Sequence, residues 1–236
     1  MRIGVSTFAQ SYADWQRYAA GAFDEAPRIP DSKIYEEEIH LASLVEPLGF
    51  DAIWTVEHHF TPYTMVPNPT QFLAYMAGRT SRVDFGTMVI VLPWHDPVRV
   101  AEDIAMLDNL LLGRRRVLGF GRGAGRREFD GLRIAMGESR DRFLESLEIV
   151  RAALTSERFS FDGKFHKIGP TCLRPRPRST DLLERMYCAW GSPGTIPIAA
   201  NTGLAPLFIP QKSWEEIGQE VVQFNQIRAQ RGWTAQ

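Results

Sequence analysis

The chain has 236 residues, 44% hydrophobic and 23% charged, a composition that suits a globular protein able to bury a core without disulfide or metal staples. Its net charge is −1, so no basic or acidic excess points to nucleic acid or an anionic membrane. Its two cysteines, Cys172 and Cys188, match no metal or redox spacing and read as reduced thiols of a cytoplasmic protein.

Met1-Arg2 leads straight into an apolar segment with no signal-peptide pattern, and no apolar run approaches the roughly 20 residues needed to span a bilayer. From there, short apolar runs alternate with longer helical patterns, as repeated βα units on a parallel sheet require. Ile3 to Phe8 is predicted as the first strand and Ser32 to Leu48 as the amphipathic helix after it, with Gly49 at its end. Between them, Ala9 to Asp31 carries Tyr12, Trp15, Tyr18 and Phe23, and reads either as a lid or as a packed loop. Ala52 to Val56 and Phe85 to Leu92 follow as strands, with helices over Thr70 to Thr80 and Asp96 to Leu112. The fourth strand is predicted over Arg116 to Phe120, then a glycine-rich turn from Gly119 to Gly125 and a helix from Ser139 to about Leu154. Phe159 to His166 reads as a hairpin with Asp162-Gly163 at its turn. Tyr187 to Ala189 and Pro206 to Ile209 complete the strands, with a short helix over Ile196 to Gly203 and a last one from Ser213 to Arg231.

The whole chain, 1–236, therefore reads as one α/β domain with six βα units. A closed (β/α)8 TIM-type barrel needs eight, so the last two units are expected to be missing and the domain to be incomplete at its C-terminal end.

Function in parallel α/β folds collects at the C-terminal ends of strands, and three such ends stand out. The second carries Glu57-His58-His59-Phe60. A histidine there suits proton transfer near neutral pH, or merely orders the loop; alternation along an extended segment lets only one of the pair face the barrel mouth. Metal binding would need further ligands, for which only His95-Asp96 offers itself, so no metal is expected. The fourth end, Gly119-Phe120-Gly121-Arg122-Gly123, suits a phosphate through close backbone approach and a forked guanidinium. At the fifth, Gly191-Ser192-Pro193-Gly194-Thr195 precedes a short helix, where Ser192 and Thr195 serve either an anion or plain capping. Arg122, Ser192 and Thr195 can converge on one phosphate.

Several of these segments together resemble one family. Glu57-His58-His59-Phe60-Thr61, Asn68-Pro69, Gly86-Thr87-Met88-Val89-Ile90-Val91-Leu92-Pro93, Pro97-Val98-Arg99, Ala101-Glu102-Asp103, Gly113-Arg114, Gly121-Arg122-Gly123, Asp162-Gly163, Arg174-Pro175 and Gly191-Ser192 run in the register of the bacterial luciferase-like, flavin-dependent monooxygenases. The resemblance implies a (β/α)8 barrel that binds reduced FMN non-covalently at its C-terminal face. There O2 forms a flavin C4a-peroxide that delivers one oxygen atom to a small organic substrate. It places His58 at the family's catalytic histidine. Arg122, Ser192 and Thr195 fall on the phosphate positions, with Gly121 and Gly191 beside them, Met88-Val89 on the family's non-prolyl cis peptide under the flavin ring, and Glu57 beside the flavin pocket. It further implies a separate flavin reductase and a homodimer through the helices at Thr70 to Thr80 and Asp96 to Leu112. Gly121 stands where the luciferases proper carry a reactive cysteine, so light emission is not implied. Two rival readings remain: an oxidoreductase of the same fold using the deazaflavin F420, and a non-catalytic flavin-binding relative.

Overall fold

The computed structural model describes residues 1–236 except Phe23, Ser192, Pro210 and the side chain of Pro193. The chain begins with strand β1 (Gly4–Thr7), then helices α1 (Tyr12–Ala19) and α2 (Asp31–Leu44), strand β2 (Ala52–Thr55) and helix α3 (Pro69–Ala77). Strand β3 (Asp84–Val91), helix α4 (Pro97–Leu110), strand β4 (Arg116–Gly121) and the short helix α5 (Arg126–Gly131) follow. Helix α6 (Ser139–Thr155) leads to the β5 (Phe159–Asp162) and β6 (Lys167–Thr171) ribbon, and strand β7 (Met186–Ala189), helix α7 (Ile196–Asn201), strand β8 (Ala205–Leu207) and helix α8 (Trp214–Ala229) complete the order.

Six strands form one parallel sheet in the order β1-β2-β3-β4-β7-β8, each beside its predecessor in the sheet, with β1 and β8 at the edges. Sequential parallel neighbours with a helix at each crossover are the arrangement of a (β/α) barrel wall. The predicted strands are all present, with ends shifted by a residue or two. α4 starts where Pro97 suits a first turn, and the Asp96 carboxylate accepts from Val98 and Arg99 N–H at 2.9 and 3.1 Å. α8 starts on a capping box, with Ser213 and Glu216 each bonded to the other's backbone N–H.

Two apolar clusters glue helices to the sheet. Ile53, Phe72, Leu73, Met76 and Phe85 fill the first half, and Ile104, Leu118, Phe120, Phe143, Val150 and Phe224 the second. A buried threonine row, not foreseen from sequence, sits toward the strand tops: Thr7 pairs with Thr55 and Thr55 with Thr87. Each hydroxyl bonds a backbone carbonyl on the adjoining strand, Thr87 reaching Gly119 at 3.1 Å, so the polar groups are satisfied without water. Both cysteines are free, and burial pushes the Cys188 thiol up to about 12.

Three segments take a definite form. The stretch from Ala9 to Asp31 contains helix α1, docked by Ser11 N–H on the Pro62 carbonyl at 2.9 Å. The β5–β6 hairpin has Asp162-Gly163 at its turn, as expected: Asp162 pairs with Lys167, and Gly163 opens the four-residue loop between them. Glu145 of α6 holds that loop by accepting from Lys164, Phe165 and His166 N–H at 2.9, 2.9 and 2.6 Å. The glycine-rich turn starts later than Gly119, since β4 runs on through Gly121. A side chain at Gly119 would run into the Thr87 carbonyl, so that glycine serves strand approach rather than a ligand. Among the described residues no helix is long and apolar enough to cross a membrane.

Candidate active site

Strand β2 stops at Thr55, so Glu57, His58 and His59 lie on a loop and escape strict strand alternation. Glu57 is buried, 3% exposed, and its two oxygens are fully engaged. Oε2 accepts from Val91 N–H at 2.8 Å, and Oε1 meets Nε2 of His59 at 3.0 Å and Nε2 of His95 at 2.7 Å. A carboxylate only accepts, so both imidazoles carry a proton on Nε2. Burial alone would raise the Glu57 carboxyl, but the hydrogen bonds from His59 and His95 outweigh it and hold the group below its ordinary value. His95 moves the opposite way: burial would lower it, and the hydrogen bond and charge of Glu57 raise it. The second histidine thus turns down onto Glu57, and Glu57 ties the loop after β2 to the end of β3.

His58 turns elsewhere. Its Nδ1 lies 2.9 Å from Oε1 of Glu128, and the same oxygen accepts from His59 N–H at 2.9 Å. Glu128 belongs to α5 and is buried, 6% exposed. Its position depends on Gly125, where any side chain would strike the Glu128 carboxylate. In the neutral form of the His58 ring, the Nδ1 proton is the one directed at Glu128, a tautomer fixed by the partner. His58 lines a cavity of about 360 Å³ together with Trp15, Tyr18, Tyr63, Arg126 and Arg127, within the range of small-molecule pockets.

The end of β3 carries the next group. Register with β4 slips between Thr87 and Ile90, and the Met88–Val89 peptide there is cis, as the family resemblance implied. Val91 pairs with Gly121, and a Cβ on Gly121 would come within 2.6 Å of Val89 Cγ2. Gly121 is therefore the residue that lets Val89 lie flat against β4. Arg122 follows at once, half-buried, and among the described residues its hydrogen bond is to Ser139 Oγ at 3.1 Å. Most of its guanidinium donors stay uncommitted within that set. Because β4 and β7 are neighbours, Arg122 and the Gly191 to Thr195 segment leave adjacent strand ends. Thr195 is buried and precedes α7 without forming a side-chain cap, and Gly191 opens onto free space. Ser192 lies outside the described residues.

Glu57, His59 and His95 also offer donor atoms within 4.8 Å of one another, a spacing a metal ion would accept. This corrects the expectation that His95-Asp96 is the candidate pair, since Asp96 caps α4. Sequence reasoning missed Glu128 and Tyr63, and named His95 without its partner Glu57. Glu128 sits in an arginine-rich stretch that reads as solvated surface, and its partner is 70 residues away; the weak signal was Gly125 three positions earlier.

Compared with known proteins, residues 1–236 match the profile of one family throughout, described as luciferase-like monooxygenase. The chain belongs to this family. Among curated relatives, the alkanal monooxygenase alpha chain of Photorhabdus luminescens is 32% identical over 147 residues, 61% of this chain and 40% of its own. The crystal structure of monooxygenase RslO1 from Streptomyces bottropensis is 30% identical, with a TM-score of 0.77 over 100% of this chain and 68% of its own. The oxygenating constituent of 3,6-diketocamphane monooxygenase from Pseudomonas putida, solved with FMN, has 20% identity and a TM-score of 0.76 over 100% of this chain and 64% of its own, a likeness of fold. The luciferase-like chain spans about two fifths of the first curated relatives, covering 41%, 40% and 41% of them.

Proposed function

We propose that the protein is an FMN-dependent monooxygenase in which His58 handles the proton of the reaction. One observation carries this reading: His58 is held through Nδ1 by the buried Glu128, and its ring lines the adjoining cavity. The donor set at the neighbouring strand ends fits the cofactor. Arg122, Thr195 and Gly191 supply a guanidinium, a hydroxyl and open backbone, the chemistry that receives a phosphate monoester, and the sequence adds the Ser192 hydroxyl. Met88 and Val89 form the floor for the flavin ring, and Gly121 keeps that floor flat.

Reduced FMN, when bound, supplies the two electrons that activate O2. One oxygen atom enters the organic substrate, and the other leaves as water with the two hydrogens of the reduced flavin. His58 takes a proton at Nε2 and returns it, while Glu128 steadies the imidazole when it is charged. Glu57 and its two histidines hold the loop against the end of β3, so that His58 and Val89 keep their spacing. A separate reductase supplies the reduced flavin.

The test is an anaerobic titration with reduced FMN and, in parallel, reduced F420. Reduced FMN is expected to bind, and Arg122→Ala to weaken it by about 1.5–3 kcal/mol, the range for charged hydrogen bonds. Preference for F420, or an affinity indifferent to Arg122, overturns the cofactor assignment. Pairing through α3 and α4 is part of the same reading: Tyr75, Met106 and Leu110 on these helices are 48%, 49% and 48% exposed, an apolar face that a second copy would cover.

A further inference from the structure

We propose that the cavity beside His58 takes a planar aromatic substrate bearing a carboxylate or phenolate, a reading that rests on the monooxygenase assignment and narrows it.

The first argument is what the wall is made of. Trp15 and Tyr18 come from α1, His58 and Tyr63 from the loop after β2, and Arg126 and Arg127 from α5. Among the described residues the wall holds no leucine, isoleucine, valine or methionine. A long flexible alkyl chain would find no aliphatic surface to lie on, whereas a flat π-system meets ring faces and edges on several sides. Trp15 and Tyr63 stand 4.7 Å apart at 45°, Trp15 and Tyr18 6.1 Å apart at 27°, and the His58 ring meets Tyr63 edge-on at 5.4 Å. The reactive imidazole is thus part of the same aromatic wall.

The wall is also held in place before any ligand arrives. Asp14, buried in α1, accepts from Ser11 Oγ at 2.8 Å, from Arg28 N–H at 3.1 Å and from Arg17. The Tyr18 hydroxyl donates to the Phe60 carbonyl, which pins α1 to the histidine loop. Preformed rings lose little entropy when they receive a rigid ligand.

The second argument is charge. Of the charged groups on this wall, Glu128 is committed to His58 and His59. Arg127 lies over the Tyr18 ring at 4.7 Å. Arg126 is exposed and has no hydrogen bond or ion pair among the described residues. Across the shared Tyr18 and His58 boundary, the neighbouring cavity of about 560 Å³ has its own cation, Arg17, neutralised by Asp14 and Glu25. The uncommitted charge at the aromatic cavity is therefore positive, and an acidic group on the rim of a flat ligand complements it.

The probes are 2-naphthoate, its neutral carboxamide and decanoate, each titrated by calorimetry into the flavin-free protein. 2-Naphthoate should bind about tenfold tighter than decanoate, from ring contacts, and about tenfold tighter than the carboxamide, from the charged contact. Arg126→Ala, on an exposed position, should abolish the preference for acid over amide and leave carboxamide binding unchanged. Trp15→Leu should weaken both naphthyl ligands. Equal or tighter binding of decanoate, or a preference for acid that survives Arg126→Ala, overturns the proposal, as does no binding of 2-naphthoate. Reduced FMN titrated into the same preparation keeps the two readings apart. Flavin binding without naphthoate binding sinks only the substrate class; naphthoate binding without flavin binding keeps the ligand class and sinks the monooxygenase reading beneath it.

Discussion

His58 Nδ1 and Glu128 Oε1 stand 2.9 Å apart across 70 positions of sequence, and in the proposed mechanism this contact sets which imidazole nitrogen serves the substrate. Glu128→Ala should lower turnover by roughly 10–100-fold, a part of the 10²–10⁴ range for general acid–base groups, because the ring loses its tautomer and orientation. Reduced-FMN affinity should not change. Glu128→Gln keeps an accepting oxygen and should fall in between, which a purely packing role for this side chain would not produce. Wild-type turnover in the alanine variant, checked against its thermal midpoint, removes Glu128 from the site.

The Glu57–His95 pair predicts a pH window for stability. Glu57 is held below 4.5, so its contribution is present above that value and fades as pH falls through the lowered one. His95 is held above 6.5, so its contribution is complete below 6.5 and fades as pH rises through the raised value. The gap in thermal midpoint between wild type and His95→Gln, which keeps a donor and removes the charge, should be widest between 4.5 and 6.5 and shrink on the alkaline side. A gap that is flat with pH means that the pair is not ionised.

Gly121 predicts a steric effect at the proposed flavin floor. Its Cβ would lie 2.6 Å from Val89 Cγ2, and a β-branched side chain on a fixed strand has little room to yield. Gly121→Ala should destabilise the fold by about 1–3 kcal/mol, the usual cost of overpacking, and weaken reduced-FMN binding as Val89 is displaced. Denaturant unfolding and a flavin titration measure the two; an unaffected variant would show that the floor tolerates movement.

Much of the fold was legible because its signals are local. Apolar runs such as Phe85 to Leu92 read as strands covered on both faces, and Asp96-Pro97 and Ser213 mark helix starts that need no tertiary contact. Two of the short helices were not. α1 and α5 have eight and six residues, too short to persist without partners, and those partners are Pro62 and Arg28 for one and His58 and His59 for the other. The candidate site shows the same division. His58 and Arg122 announce themselves at strand ends, while Glu128 and His95 become partners only once β2, β3 and β4 lie side by side. The threonine row was invisible for the same reason, since an isolated threonine in a strand does not show which carbonyl it will meet.

Exposed apolar side chains on α3 and α4 predict self-association. Met106 and Leu110 are 49% and 48% exposed, and aspartate at both should shift a dimer to monomer in light scattering after size exclusion while leaving the helical signal unchanged. A wild-type chain that is monomeric at every concentration tested, or a double variant that remains a dimer, removes this face as the interface.

The central claim is that His58 carries the proton chemistry of a reduced-FMN monooxygenase. Its most direct test is a single-turnover reaction of FMNH2-loaded protein with isotopically labelled O2 and an aromatic acid bound in the cavity, run for wild type and His58→Ala. Wild type should place one labelled atom in the organic product, and His58→Ala should retain the flavin yet lose labelled product by roughly 100-fold or more. Equal labelled product from the two proteins, or bound flavin oxidised in wild type with no label transferred, contradicts the account.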